Sequence, residues 1–83
     1  MIIVSFFAAL REQVGTSVVQ VDPEQVSTTG ELFDLLAEKY PALGDFRGNV
    51  LIAINEHYAR WADPVQSGDQ VAFFPPVSGG GDD

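Results

Sequence analysis

The first and last strand-forming segments of this chain are strongly apolar, and that constrains the fold more than anything between them. Residues 2–7 read Ile-Ile-Val-Ser-Phe-Phe. β-Branched and aromatic residues in such a run favour a strand. Alternation puts Ile2, Val4 and Phe6 on one face and Ile3 and Phe7 on the other. A strand that is apolar on both faces belongs inside a sheet. Gln70 to Phe74 forms the last strand, and Pro75-Pro76 directly after it forbids further pairing in mid-sheet. The first and last strands are therefore expected side by side at the sheet centre.

The residues between them supply one long helix. Residues 8–14 are good helix formers for about two turns, with Gly15 as a stop. Residues 17–21 form a strand ended by Asp22-Pro23. Thr28-Thr29-Gly30-Glu31 matches a capping box with Thr28 as N-cap and Glu31 at N3. Leu32, Leu35, Leu36 and Lys39 follow at helical spacing, flanked by Phe33 and Tyr40, and Pro41 ends the helix at Tyr40. The leucine stripe is assigned to core packing. Asn49 to Asn55 is a third strand, Asn55-Glu56-His57 a turn, Tyr58 to Trp61 a short edge strand broken by Asp63-Pro64, and Ser67-Gly68-Asp69 another turn.

That order has too few helices for a doubly wound sheet. It predicts an α+β roll, a mixed sheet of about five strands packed on one main helix, which is the ubiquitin-like β-grasp arrangement. The 83 residues allow one domain, expected over 1–75, with a flexible glycine-rich tail over 76–83.

Composition narrows the function classes. The chain has no cysteine, so it can form neither a disulfide nor a thiolate metal site, and it has no cysteine nucleophile. The net charge of −8 repels phosphate backbones and argues against nucleic acid, while it suits a basic protein partner. No apolar run approaches the ~20 residues of a membrane span, and the apolar start lacks a basic region before Arg11-Glu12. A cytosolic protein without membrane contact is expected. The lone histidine, His57, sits at a turn with Glu56, which is too little for a metal site and reads as a solvated surface residue.

The tail is the chemical element. Pro75 and Pro76 fix φ and remove two donors, so they project the chain away from the sheet. The residues from Pro75 through Val77 and Ser78 to Gly80 reach at most ~20 Å when extended, enough to enter a partner's cleft. Gly79, Gly80 and Gly81 have no Cβ, so this backbone can thread a narrow channel and approach a ligand closely. Glycine-rich ends are also commonly just frayed. The run before the glycines sets this one apart.

That run, from Gly68-Asp69 through Phe73-Phe74-Pro75-Pro76-Val77-Ser78 to Gly79-Gly80, resembles the C-terminal signature of the molybdopterin synthase small subunits, a family of ubiquitin-like sulfur carriers. The start, Val4 to Glu12 with Gly15, and Asn55 after an apolar strand, resemble the same family. The resemblance implies a β-grasp fold and a reaction cycle. A ubiquitin-activating-type adenylyltransferase spends ATP to adenylate the terminal glycine. A sulfur donor converts it to a thiocarboxylate. The tail then enters the large subunit of a heterotetramer and gives its sulfur to cyclic pyranopterin monophosphate. The carrier is not catalytic alone and holds no permanent cofactor or metal. The resemblance makes Gly80 the acceptor beside Gly79, and Pro75, Pro76, Val77 and Ser78 the inserted segment.

Here the chain departs from the family pattern, continuing past the Gly-Gly pair with Gly81-Asp82-Asp83. Processing to Gly80 is expected, with Gly81 the alternative acceptor. An Asp83 terminus would bring charge into a path suited to glycine. Phe7, Phe74 and Arg11 are candidate partner contacts. For the phenylalanines the alternative is core packing, and for Arg11 it is a surface ion pair. Trp61 is open to either core or interface. Two other functions remain: a carrier for thiamine, tungsten-cofactor or amino-acid synthesis, and a β-grasp interaction module with an inert tail.

Overall fold

The computed structural model describes residues 1–76, and in it the first and last strands pair side by side. Strand β1 (Ile2–Phe6) and strand β5 (Gln70–Phe74) pair in parallel, with Val4 opposite Val71 and Phe6 opposite Phe73. Strand β2 (Val18–Val21) runs antiparallel on the far side of β1. Strand β3 (Leu51–Ile54) runs antiparallel on the far side of β5 and carries β4 (His57–Ala59). The order β2-β1-β5-β3-β4 places β5 at the centre between β1 and the wholly apolar β3, and helix α2 (Thr29–Lys39) packs on one face. This is the ubiquitin-like β-grasp. The short helix α1 (Ala9–Val14) ends where Gly15 adopts φ 88°, the left-handed stop expected of it.

Strand alternation fills the core from one side and α2 from the other. Ile2, Val4, Phe6, Ile52, Val71 and Phe73 are buried from the sheet, and Leu32, Phe33 and Leu36 from the helix. The Phe33 ring meets Phe73 edge-on at 5.2 Å, and Phe6 stacks on Phe73 at 6.2 Å. The buried arc of α2 is Thr29, Leu32, Phe33 and Leu36, the i, i+3, i+4, i+7 set. The expected stripe lay slightly to one side: Leu35 is only half-buried at the helix flank, and Phe33 is wholly inside.

The capping box forms with one shift. The Thr28 hydroxyl accepts from the Glu31 N–H at 3.2 Å, but the Glu31 carboxylate accepts from the Ser27 N–H at 2.7 Å, one residue before the N-cap. Two short 3-10 turns, Pro23–Gln25 and Pro41–Phe46, follow their prolines and link the larger elements. The β3–β4 turn consists of Asn55 (φ 51°) and Glu56 (φ 72°), the two left-handed residues of a tight hairpin, and His57 already belongs to β4. Asn55 has a second task. Its backbone N–H donates to the Gln70 carbonyl and its side-chain oxygen accepts from the Gln70 N–H, at 2.8 and 3.0 Å. Its amide also donates to the buried Asp69 at 3.1 Å, so the hairpin turn fixes the start of β5.

Trp61 does not lie on the edge strand as expected, because β4 ends at Ala59. Its carbonyl accepts from the Gly30 N–H at 2.8 Å, at the start of α2, and is thus committed away from the sheet. The indole packs edge-on against Phe33 at 5.2 Å and beneath the Arg47 guanidinium at 4.6 Å, while Arg47 also pairs with Asp34. Thr29, fully buried, donates its hydroxyl to the Arg60 carbonyl.

A Cβ on Gly30 would stand 3.0 Å from the Trp61 carbonyl oxygen. An ordinary helical Gly→Ala change stabilises by up to about 1 kcal/mol. At this position Gly30→Ala is expected to destabilise by about 1 kcal/mol instead, because the loop cannot retreat without losing its hydrogen bond. A urea midpoint higher than that of the parent chain would refute this account of the loop.

Candidate functional site

The site begins where the central parallel pair stops. In a parallel ladder, Phe7, opposite Phe74, bonds through its N–H to residue 73 and through its carbonyl to residue 75. The first bond is present, with the Phe7 N–H donating to the Phe73 carbonyl at 3.2 Å. The second cannot form, because residue 75 is proline and has no N–H. The Phe7 carbonyl instead accepts from the Leu10 N–H at 3.1 Å, and this contact starts α1. One missing donor ends the ladder and turns the chain.

The neighbours Phe73 and Phe74 then divide. Phe73 is fully buried, so β5 is anchored right up to its end. Phe74 points to the face that α2 does not cover, where Phe7 meets it edge-on at 6.3 Å. Tyr58 of β4, 78% exposed, approaches Phe74 at 6.1 Å, and Leu51 pairs with it from β3. Phe7 is 49% exposed. Phe7, Ala8, Phe74, Pro75 and Pro76 line an open depression of about 470 Å3. The structure thus brings four of the expected site residues, Phe7, Phe74, Pro75 and Pro76, into one apolar apron at the point where the chain leaves the sheet. For both phenylalanines it decides against pure core packing.

Arg11 sits exposed on α1, one turn after Phe7, and makes no ion pair among the described residues. His57 is exposed at the start of β4, and no group of three or more His, Asp or Glu side chains among the described residues could hold a metal ion. Val77, Ser78, Gly79, Gly80 and Gly81, expected to carry the chemistry, lie outside the described residues. Ala8, Tyr58 and Leu51 went unnoticed in the sequence. Tyr58 and Leu51 reach the apron through strand order, which no local pattern shows.

Ala8 adopts φ 53° and ψ −127°, a conformation natural to glycine and strained for any residue with a Cβ. It joins β1 to α1 and forms a wall of the depression. Ala8→Gly is expected to raise stability by about 1 kcal/mol, strain relief outweighing the added freedom of the unfolded chain. Chemical denaturation of the pair checks this, and an unchanged or lower midpoint would show the backbone to be relaxed at Ala8.

The chain is similar to known proteins over nearly its whole length. A family model described as the ThiS family matches residues 4–80. The molybdopterin synthase sulfur carrier subunit of Haemophilus influenzae is 38% identical over 82 residues, covering 96% of this chain and 100% of that protein. The crystal structure of SAMP1 from Haloferax volcanii superposes with a TM-score of 0.80 at 32% identity, covering 95% of this chain and 98% of that one. A complex of subunits 1 and 2 of the molybdopterin-converting factor from Helicobacter pylori contains a chain of the same fold, with a TM-score of 0.66 at 24% identity over 95% of this chain and 97% of that one.

Proposed function

The chain belongs to the ThiS family of ubiquitin-like sulfur carriers, and from that membership we propose that it is the sulfur-carrier subunit of a molybdopterin synthase. Family membership alone would suit a carrier for another sulfur-requiring pathway equally well. The relative named for molybdopterin synthase, matched from end to end, favours this one.

The working group is the carboxylate of Gly80. It becomes free once the bond to Gly81 is cut, and the family match runs as far as residue 80. An activating enzyme joins this carboxylate to the α-phosphate of ATP and releases pyrophosphate. Hydrosulfide released by a sulfur donor attacks the acyl carbon, displaces AMP and loses its proton, leaving a thiocarboxylate. In the large subunit the thiocarboxylate sulfur attacks cyclic pyranopterin monophosphate, and water cleaves the acyl–sulfur bond, leaving the sulfur on the pterin and restoring the glycine carboxylate. The carrier itself holds no nucleotide. It supplies a rigid base and a narrow reach.

The observation that best supports this reading is the apron. A tail that must enter another protein's cleft needs a docking surface at its root, and Phe7, Phe74 and Tyr58 form an exposed aromatic cluster there. Aromatic anchors of this kind carry most of the binding energy in many interfaces. Pro75-Pro76 stiffens the first step of the tail and lowers the entropy lost on insertion. Exposed Arg11 offers one cation at the rim for a partner's carboxylate. The cycle takes place in the cytosol, where ATP and the partner enzymes are available.

Two outcomes test the reading. The chain ending at Gly80, incubated with an activating enzyme, ATP and a sulfur donor, is expected to gain the mass of one sulfur in place of one oxygen. The chain lacking residues 79–83 is expected to gain nothing, and a mass gain in that control would sink the assignment. Phe74→Ala is expected to weaken binding to the large subunit about tenfold while leaving the fold intact. Unchanged affinity by calorimetry would remove the apron from the interface.

A further inference from the structure

The opposite edge of the sheet carries a feature the sulfur-carrier cycle does not use. Strand β2 is an edge strand, and residues 13–21 contain no charged side chain, although the chain as a whole carries sixteen (four Lys/Arg and twelve Asp/Glu). Edge strands are normally guarded by charge, proline or shortness, because their free N–H and C=O groups invite another strand. The other edge, β4, is three residues long and is bracketed by Glu56 and Arg60. β2, four residues long and closed by Asp22-Pro23, carries no charge or proline within the strand or in the five residues before it.

The register tells which groups are free. The Phe6 N–H donates to the Ser17 carbonyl at 2.9 Å, so the hydrogen-bonded pairs with β1 are Phe6–Ser17, Val4–Val19 and Ile2–Val21. Val18 and Gln20 therefore turn their backbone groups outward, the Val18 carbonyl accepting from the Thr16 hydroxyl at 3.3 Å, and Val18 is 49% exposed. Beside this edge, on the helix side, lies a groove of about 310 Å3. Val19 and Val21 form one wall and Leu35, Leu36 and Tyr40 the other. The half-buried Leu35, out of place in a pure core stripe, belongs to this groove. A strand added to β2 would drop every second side chain into it.

Charge selects the occupant. Asp22 and Lys39 both stand in the lining, and outside it exposed Glu24 lies two residues after Asp22 and exposed Glu38 precedes Lys39, so carboxylates outnumber cations in the segments that border the apolar floor. The chain as a whole is at −8, which disfavours a second copy of itself. We propose that the β2 edge and its groove bind an extended segment of a basic protein partner, one with apolar residues at alternate positions and lysine or arginine at its flanks, by strand addition. This surface lies across the sheet from the apron's β3–β4 side, so both surfaces can be engaged at once.

The test uses the full chain and a fluorescent synthetic peptide of alternating valine and threonine flanked by two lysines at each end. Anisotropy and amide-shift mapping are the readouts. The peptide is expected to bind and to shift the Val18 and Gln20 amides most. A glutamate-flanked version is expected to bind at least tenfold more weakly at low salt. Gln20→Pro removes an outward N–H without touching the β1 ladder and is expected to lower affinity at least tenfold. Leu35→Lys, on a half-exposed position, is expected to do the same by a separate route. Both variants should keep the native melting transition and the parent's sulfur loading. The proposal is overturned if the lysine-flanked peptide shifts no β2 amide, if the glutamate-flanked one binds as tightly, or if both variants bind as the parent does. It is also overturned if sedimentation shows a dimer of this chain that Gln20→Pro dissociates, since the edge would then belong to a second copy.

Discussion

The structure depends on the parallel pairing of β1 with β5. Ile3 sits opposite Gln70, so the contact joins almost the whole length of the chain. Closing so long a loop costs entropy before any strand contact repays it. What repays it is aromatic burial: Phe6, Phe33 and Phe73 converge with ring separations of 5.2 to 6.2 Å and essentially no exposure. Each comes from a different element, so the pair, the helix and the core stand or fall together. This is the cooperative behaviour expected of a domain so small.

That same pairing creates the functional end of the molecule. A longer ladder would have drawn Phe7, Ala8 and the tail into the sheet. Proline at position 75 withholds one N–H, and the Phe7 carbonyl is redirected to Leu10. The consequences follow in order: α1 starts, Ala8 takes a strained conformation, and Phe74 remains as an aromatic shelf beneath Pro75-Pro76. Phe73 in the core and Phe74 on the surface divide anchoring from exposure between adjacent residues.

The molecule thus has two distinct unpaired surfaces. The apron is aromatic and sits at the root of the tail. The β2 edge offers free backbone groups and an aliphatic groove, and it lies in a stretch kept free of charge in a strongly acidic chain. Their chemistry differs enough that they would select different partners.

Much of this was legible from residue patterns. Two-sided apolar alternation marked β1 as internal, the apolar character of the first and last strands set them side by side, the Thr28–Glu31 box marked the start of α2, and Pro41 and Gly15 marked helix ends, because each of these signals is local. The tail's prolines and glycines, together with the family resemblance, pointed to the site. Less visible were the features set by elements distant in sequence. Trp61 left its strand because Gly30 claimed its carbonyl, the buried arc of α2 moved onto Phe33 because Phe73 waited beneath it, and Tyr58 and Leu51 joined the apron only through the strand order. The sequence by itself determined the elements and the helix ends, since propensity, capping and missing donors act within a few residues. Only the tertiary structure decided which aromatic rings face water and which edge stands open, since those depend on what packs against each face from far along the chain.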